Sequence, residues 1–167
     1  MNQLLKLFFD ECCSKRLAHR IRDACSTDNL SVQTKHLSEF CGLGEAGEDW
    51  LPLLEKQGGW IVITADRGKD PKKQKLPRIC ANLGITHISL TPALIKAGYQ
   101  AHEDALLSVF SEISHIHLLP KGTKVSLGFK WIKKHTEKIA ILSIRQIPLA
   151  TWCAQKGIAW PAASNPN

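Results

Sequence analysis

Residues 60–64, WIVIT, form an unbroken apolar run, rich in β-branched residues and with no polar alternation. A strand without a polar face must be buried on both sides. That is the habit of strands in parallel sheets covered by helices on each face. The stretch is also bracketed correctly. A helix is expected from about residue 48 to 57, with Trp50, Leu53 and Leu54 as its apolar stripe, and Gly58 and Gly59 close it. Residues 76–83 read as the next helix, ended by Gly84.

The same alternation runs through the rest of the chain. Residues 4–9, LLKLFF, are short, apolar and aromatic, as a buried strand is. From Cys12 the period changes. Leu17, Ile21 and Ala24 fall on one helical face, with Lys15, Arg16, Arg20 and Arg22 mostly around it. Residues 30–34 and THISL at 86–90 read as strands, and Thr91 caps a helix that has Pro92 at its first position. A helix is expected over about 101–113, and HIHLL at 115–119 is strand-like. PKGTK is a turn and VSLGF at 125–129 a last strand. Strands alternating with helices predict an α/β fold with a mainly parallel sheet. Beyond about residue 130 the character changes. KWIKKHTEK is basic, IAILSI fits either a strand or a helix, and the final PAASNPN is expected to be loose. The expected division is therefore a main domain over residues 1–129 and a basic extension over 130–167.

The chain has 167 residues, enough for one domain with an appendage, and 44% of them are hydrophobic. The net charge of +7 and isoelectric point near 9.2 favour polyanionic partners such as nucleic acid, an anionic surface or an acidic protein. Six cysteines are present with no C-x-x-C pair, and Cys12 and Cys13 are adjacent, a poor geometry for a bridge. Their apolar neighbours make most of them buried thiols of a reducing compartment. With no signal peptide and no run long enough to span a bilayer, the expectation is a soluble cytoplasmic protein with no membrane partner.

Both clear strands end on acids. LFFDE supplies Asp10 and Glu11, and IVITAD supplies Asp66. In open parallel sheets, ligands bind beyond the carboxyl ends of the strands. If the two strands are neighbours, Asp10 and Asp66 meet there. A third acidic group, Glu45, Glu48 and Asp49, stands at the start of the helix before the second strand. Carboxylates crowded together raise one another's pKa unless a cation lies between them, and oxygen-rich sites of this kind suit Mg²⁺ or Mn²⁺. Such ions activate water for attack on a phosphodiester. Each acid taken alone is better explained by a cap, Asp10 for the helix near Cys12, Asp66 for a turn with Gly68, Glu48 for a helix dipole, and only the three together favour a metal. The loop after Asp66 carries Arg67, Lys69, Lys72, Lys73, Lys75 and Arg78 against Asp70 alone. These cations, with Lys15 and Arg16 past the first acid pair, are candidates for phosphate contacts with RNA. His115 and His117 read as ordinary surface histidines.

LFFDECCSKRLAHRIRDA followed by GLGEAGEDWLPLLEKQGGWIVITADRG resembles the PIN-like domain proteins over about residues 4–70. The shared pattern is an acid pair ending the first strand, a Leu in the next helix, an acid opening a middle helix, and a strand of type v-v-T-x-D-r. The resemblance implies a three-layer α/β/α sandwich and a Mg²⁺- or Mn²⁺-dependent ribonuclease, many relatives being toxins paired with an antitoxin protein and often homodimeric. It makes Asp10, Asp49 and Asp66 the catalytic metal ligands, with Glu11 matching the second acid of the opening pair and Glu48 competing with Asp49. The pattern's fourth acid, after the next strand, has no counterpart in THISLTP, where Asp70 or Asp104 would have to substitute. Two other readings fit the residues. One is a phospho-receiver domain phosphorylated on Asp66, with Asp10, Glu11, Thr91 and Lys121 around it. The other is an inactive PIN-like module that binds RNA or protein.

Overall fold

A computed structural model of the chain describes residues 4–27, 31–42, 45–66, 75–133 and 137–161. Its centre is a seven-stranded sheet in the order β2-β1-β3-β4-β5-β6-β7. The strands are β1 (Leu5–Phe9), β2 (Val32–His36), β3 (Trp60–Thr64), β4 (His87–Leu90), β5 (Lys124–Ile132), β6 (Glu137–Ile144) and β7 (Ile147–Pro148). The first five are parallel, and β6 and β7 add antiparallel pairs at one edge.

Every residue of β3 is buried, as its unalternating sequence requires. One side of the sheet presents Leu7, Phe9, Ile61, Ile63, Ile88, Leu90, Val125 and Leu127. Against it pack α1 (Lys15–Thr27), α4 (Pro92–Lys96), α5 (Tyr99–Ser108), α6 (Phe110–Ile113) and α7 (Leu149–Gln155) through residues such as Leu17, Ile21, Leu94, Leu106 and Cys153. The other side presents Phe8, Trp60 and Val62 to α2 (Gly47–Gln57) and α3 (Leu76–Leu83). Phe8 is the hub of this second core, stacked on Trp50 at 5.1 Å and edge-on to Trp60 and Phe40. Helices on both faces of a mainly parallel sheet make the three-layer α/β/α arrangement.

Several elements depart from the sequence reading. The buried stripe of α2 is Trp50, Leu51 and Leu54, while Leu53 is 51% exposed. The helix expected over 101–113 is broken at Val109, where φ is −107° and ψ 11°. Ser108 bonds back to the Ala105 carbonyl at 2.8 Å there, and such local bonds compete with the helical ladder. HIHLL is a 3-10 turn over Ile116–Leu118, not a strand. The His115 and His117 rings bond to the carbonyls of Ser111 and Ser114, which holds the backbone in a tight turn. IAILSI lies in β6. The division expected between residues 129 and 130 falls inside β5, and the segment beyond it continues the same sheet. PAASNPN lies, apart from Pro161, outside the described residues.

Candidate metal centre at the carboxyl edge

The chain winds from β1 outward to β2 and then crosses back to β3 on the other side of β1. The crevice between β1 and β3 is thus the point where the strand order reverses, the usual ligand site in open α/β sheets. Asp10 follows β1 and Asp66 follows β3 at the carboxyl end of this crevice. Phe9 pairs with Ile63, so the next step along the two strands sets Asp10 beside Thr64.

Asp10 is 2% exposed, an unusual position for a carboxylate. Its Oδ2 accepts from the Thr64 hydroxyl at 2.5 Å, and its Oδ1 accepts from the Cys12 N–H at 3.1 Å. Thr64 Oγ1 in turn accepts from the Asp66 N–H at 2.9 Å. Burial pushes the Asp10 carboxyl up from 3.8 to about 6, the hydrogen bonds from Thr64, Cys13 and Cys12 pull against that, and the nearby charge of Asp66 adds to the rise. The same burial, with the charge of Asp10, takes the Cys80 thiol on α3 up to about 12. The loop after Asp10 is anchored from β2. His36, also buried, accepts from the Ser38 N–H at Nδ1, so Nε2 donates to the Cys13 carbonyl at 2.8 Å.

The other acids stand around this pair. Glu11 is exposed, and its charge, with that of Glu45, adds to the rise that burial imposes on the Cys41 thiol. Glu48 and Asp49 open α2, which runs from the carboxyl edge back toward β3, and both are exposed in its first turn. The structure couples Asp10 with Asp66 and does not draw Glu48 or Asp49 into a cluster with them. Among the described residues, no three side chains of the His, Cys, Asp or Glu type group closely enough to hold a metal ion. The donors that are present are oxygens, and a cation between Asp10 and Asp66 would relieve both the burial and the repulsion. Mg²⁺ is commonly held by one or two carboxylates, with water and phosphate completing its shell, so the pair fits such an ion.

Of the cations, Lys15 and Arg16 are exposed at the start of α1, Lys75 precedes α3, and Arg78 lies exposed on it. Arg67, Lys69, Lys72 and Lys73 lie outside the described residues. Asp104, a possible substitute acid, lies on α5 in the opposite layer, bonded to Gln100. Lys121, needed at the carboxyl edge for a phospho-receiver site, lies before β5 at the amino edge, beside Gly84. The Thr91 hydroxyl is occupied with the N-terminus of α4, accepting from Leu94 N–H. The sequence reading gave no role to Thr64 or His36. The first had a signal, since it stands two residues before Asp66 in the T-x-D pattern. The second had none, because its partner is distant in sequence.

No helix among the described residues is long and apolar enough to cross a membrane. Neither the curated proteins nor the solved structures gave a match to the chain. The family model described as PIN like domain matches residues 5–80, and in that segment, from β1 to the middle of α3, which carries every acid of the candidate site, the chain is similar to the PIN-like domains.

Proposed function

We propose that the protein is a metal-dependent endoribonuclease, acting as the toxin of a toxin–antitoxin pair. The PIN-like match supports a nuclease-type fold, since PIN-like domains are typically nucleases that use divalent metal ions. The observation that carries the reading is Asp10. It is a carboxylate buried at the reversal point of the sheet, beside a second carboxylate, with its pKa raised to about 6. Among the described residues, no arginine or lysine is one of the groups that shift Asp10.

In this reading Asp10 and Asp66 hold a Mg²⁺ or Mn²⁺ ion, with Asp49 as the third catalytic acid and Glu11 and Glu48 as further negative charge at the rim. The ion, when bound, supplies activation of water and neutralisation of charge on the phosphate. Thr64 orients Asp10 and ties it to the backbone of Asp66. Lys15, Arg16, Lys75 and Arg78 hold the RNA backbone. An antitoxin protein and a homodimer are the partners proposed with this role.

The test is cleavage of labelled RNA by the purified protein with Mn²⁺. Asp10→Asn and Asp66→Asn should each lower the rate about a hundredfold or more, and Asp49→Asn less. Wild-type protein that cleaves no faster than the Asp10→Asn variant would sink the assignment.

A further inference from the structure

The β5–β6 hairpin is longer than the sheet it belongs to. β4 pairs with β5 only from Lys124 to Leu127, whereas β5 and β6 stay paired out to Ile132 and Glu137. Gly128 to Ile132 therefore run past the end of β4, an overhang of about 17 Å at 3.4 Å per residue. Because β5 is parallel to β4, β3 and β1, the overhang projects from the carboxyl edge, the edge that carries Asp10 and Asp66. It lies three strands from Asp10, about 14 Å across the sheet.

The two faces of this arm are distinct. Thr64 pairs with Ser89 and Ser89 with Ser126, so Asp10, Thr64, Ser89 and Ser126 form one cross-strand row on one face. By the two-residue period, Lys124 and Lys130 share that face, and both are exposed. Ser89 Oγ, in the same row, is buried with no hydrogen-bond partner. On the other face Trp131 stands opposite Lys138, whose Nζ lies 4.6 Å above the indole, and Trp131 is still 47% exposed. Trp131 is thus a large aromatic ring left about half exposed on a projecting, lysine-rich hairpin. Among the described residues, the other charges on the arm, Lys133 and Glu137, form an exposed pair at 2.9 Å. The arm is therefore positive, and the chain as a whole carries +7.

We propose that the overhanging β5–β6 hairpin is an RNA-holding arm beside the acid site, with Lys130 and Lys138 contacting phosphates and Trp131 stacking on a base. The arm lies beyond the residues 5–80 that match the family model. Cationic grooves combined with exposed rings are how single strands are held without sequence preference. The choice of RNA as the ligand rests on the ribonuclease reading.

Binding of a short, fluorescein-labelled uridine oligonucleotide, followed by anisotropy in EDTA across a salt series, tests the arm without cleavage. Lys130→Glu combined with Lys138→Glu should weaken binding at least tenfold and make the salt dependence shallower. Trp131→Ala should weaken it about tenfold with the salt slope unchanged, and Trp131→Phe should recover most of the loss. Unchanged melting temperatures exclude unfolding as the cause. Variants that bind as tightly as wild type, or wild-type protein that binds no RNA, overturn the proposal. Wild-type affinity together with a shifted size-exclusion volume would mean that the arm contacts protein, and overturns it too. Arm-dependent binding without Mn²⁺-dependent cleavage would sink the nuclease reading alone, and cleavage with arm variants of wild-type affinity would sink the arm alone.

Discussion

The Thr64 hydroxyl sits between two carboxylate residues, donating to Asp10 Oδ2 at 2.5 Å while accepting from the Asp66 backbone at 2.9 Å. A single side chain thereby sets the geometry of the strand ends on both sides of the crevice. Thr64→Val keeps the shape and removes the hydroxyl, leaving a buried acceptor and a backbone donor short of partners. It should cost about 1–3 kcal/mol at pH 8, with Thr64→Ser milder. Urea denaturation of the three proteins checks this, and a neutral Thr64→Val would show that the bond contributes little.

Asp10 also makes stability depend on pH. Its folded value, about 6, lies above the reference value of 3.8, so the fold favours the protonated form. That contribution is fully present below about pH 4 and is lost as pH rises through about 6. At pH 8 the charged carboxylate costs about 3 kcal/mol at most, from a shift of roughly two units. Asp10→Asn should therefore be more stable than wild type at pH 8 and should remove this part of the slope between pH 4 and 6. The difference between the two proteins across pH isolates the Asp10 contribution from the other acids.

Addition of Mn²⁺ should raise the wild-type melting temperature at pH 8 and have a smaller effect at pH 5, where a proton competes for Asp10. Asp10→Asn should not respond. An equal rise in both proteins would move the ion to another site.

Gly128 is required for a reason of space. A Cβ there would lie 2.6 Å from Thr91 Cγ2 and 2.8 Å from its Oγ1, on the side chain that caps α4. Gly128→Ala should destabilise by about 1–3 kcal/mol, as overpacking does. Combining it with Thr91→Ala should recover part of that loss, giving a total below the sum of the two single changes, measurable by a double-mutant cycle.

The register of α2 offers a direct check of which leucine faces the core. Leu51 is fully buried and Leu53 half exposed. Leu51→Ala should cost about 2–5 kcal/mol, whereas Leu53→Ala should fall within about 1 kcal/mol. Thermal melts that reverse this order would place the helix in the other rotation.

WIVIT, the first-strand run and the Thr91-Pro92 cap were legible because each depends on its own residues. Unalternating apolar strands imply burial on both faces, and a Ser or Thr cap before proline works locally. The proximity of Asp10 to Asp66 was legible only as a condition, since it needed β1 and β3 to be neighbours. HIHLL misled because its histidines bond to nearby carbonyls, a choice that composition does not reveal. The α2 stripe misled by rotation, since Leu51 and Leu53 differ only in which side of the helix meets Phe8, Trp60 and Val62.

Local sequence alone determined the alternation of strands and helices, the parallel character of the sheet and the acids at its strand ends, because hydrophobic period and capping act over a few residues. Tertiary structure decided the rest: which strands are neighbours, that Asp10 is buried and bonded to Thr64 while Glu48 and Asp49 stay in solvent, and that β5 and β6 overrun β4. Those outcomes depend on pairing and packing between residues far apart in the chain, where the free energy of one residue is set by partners that its own neighbourhood does not specify.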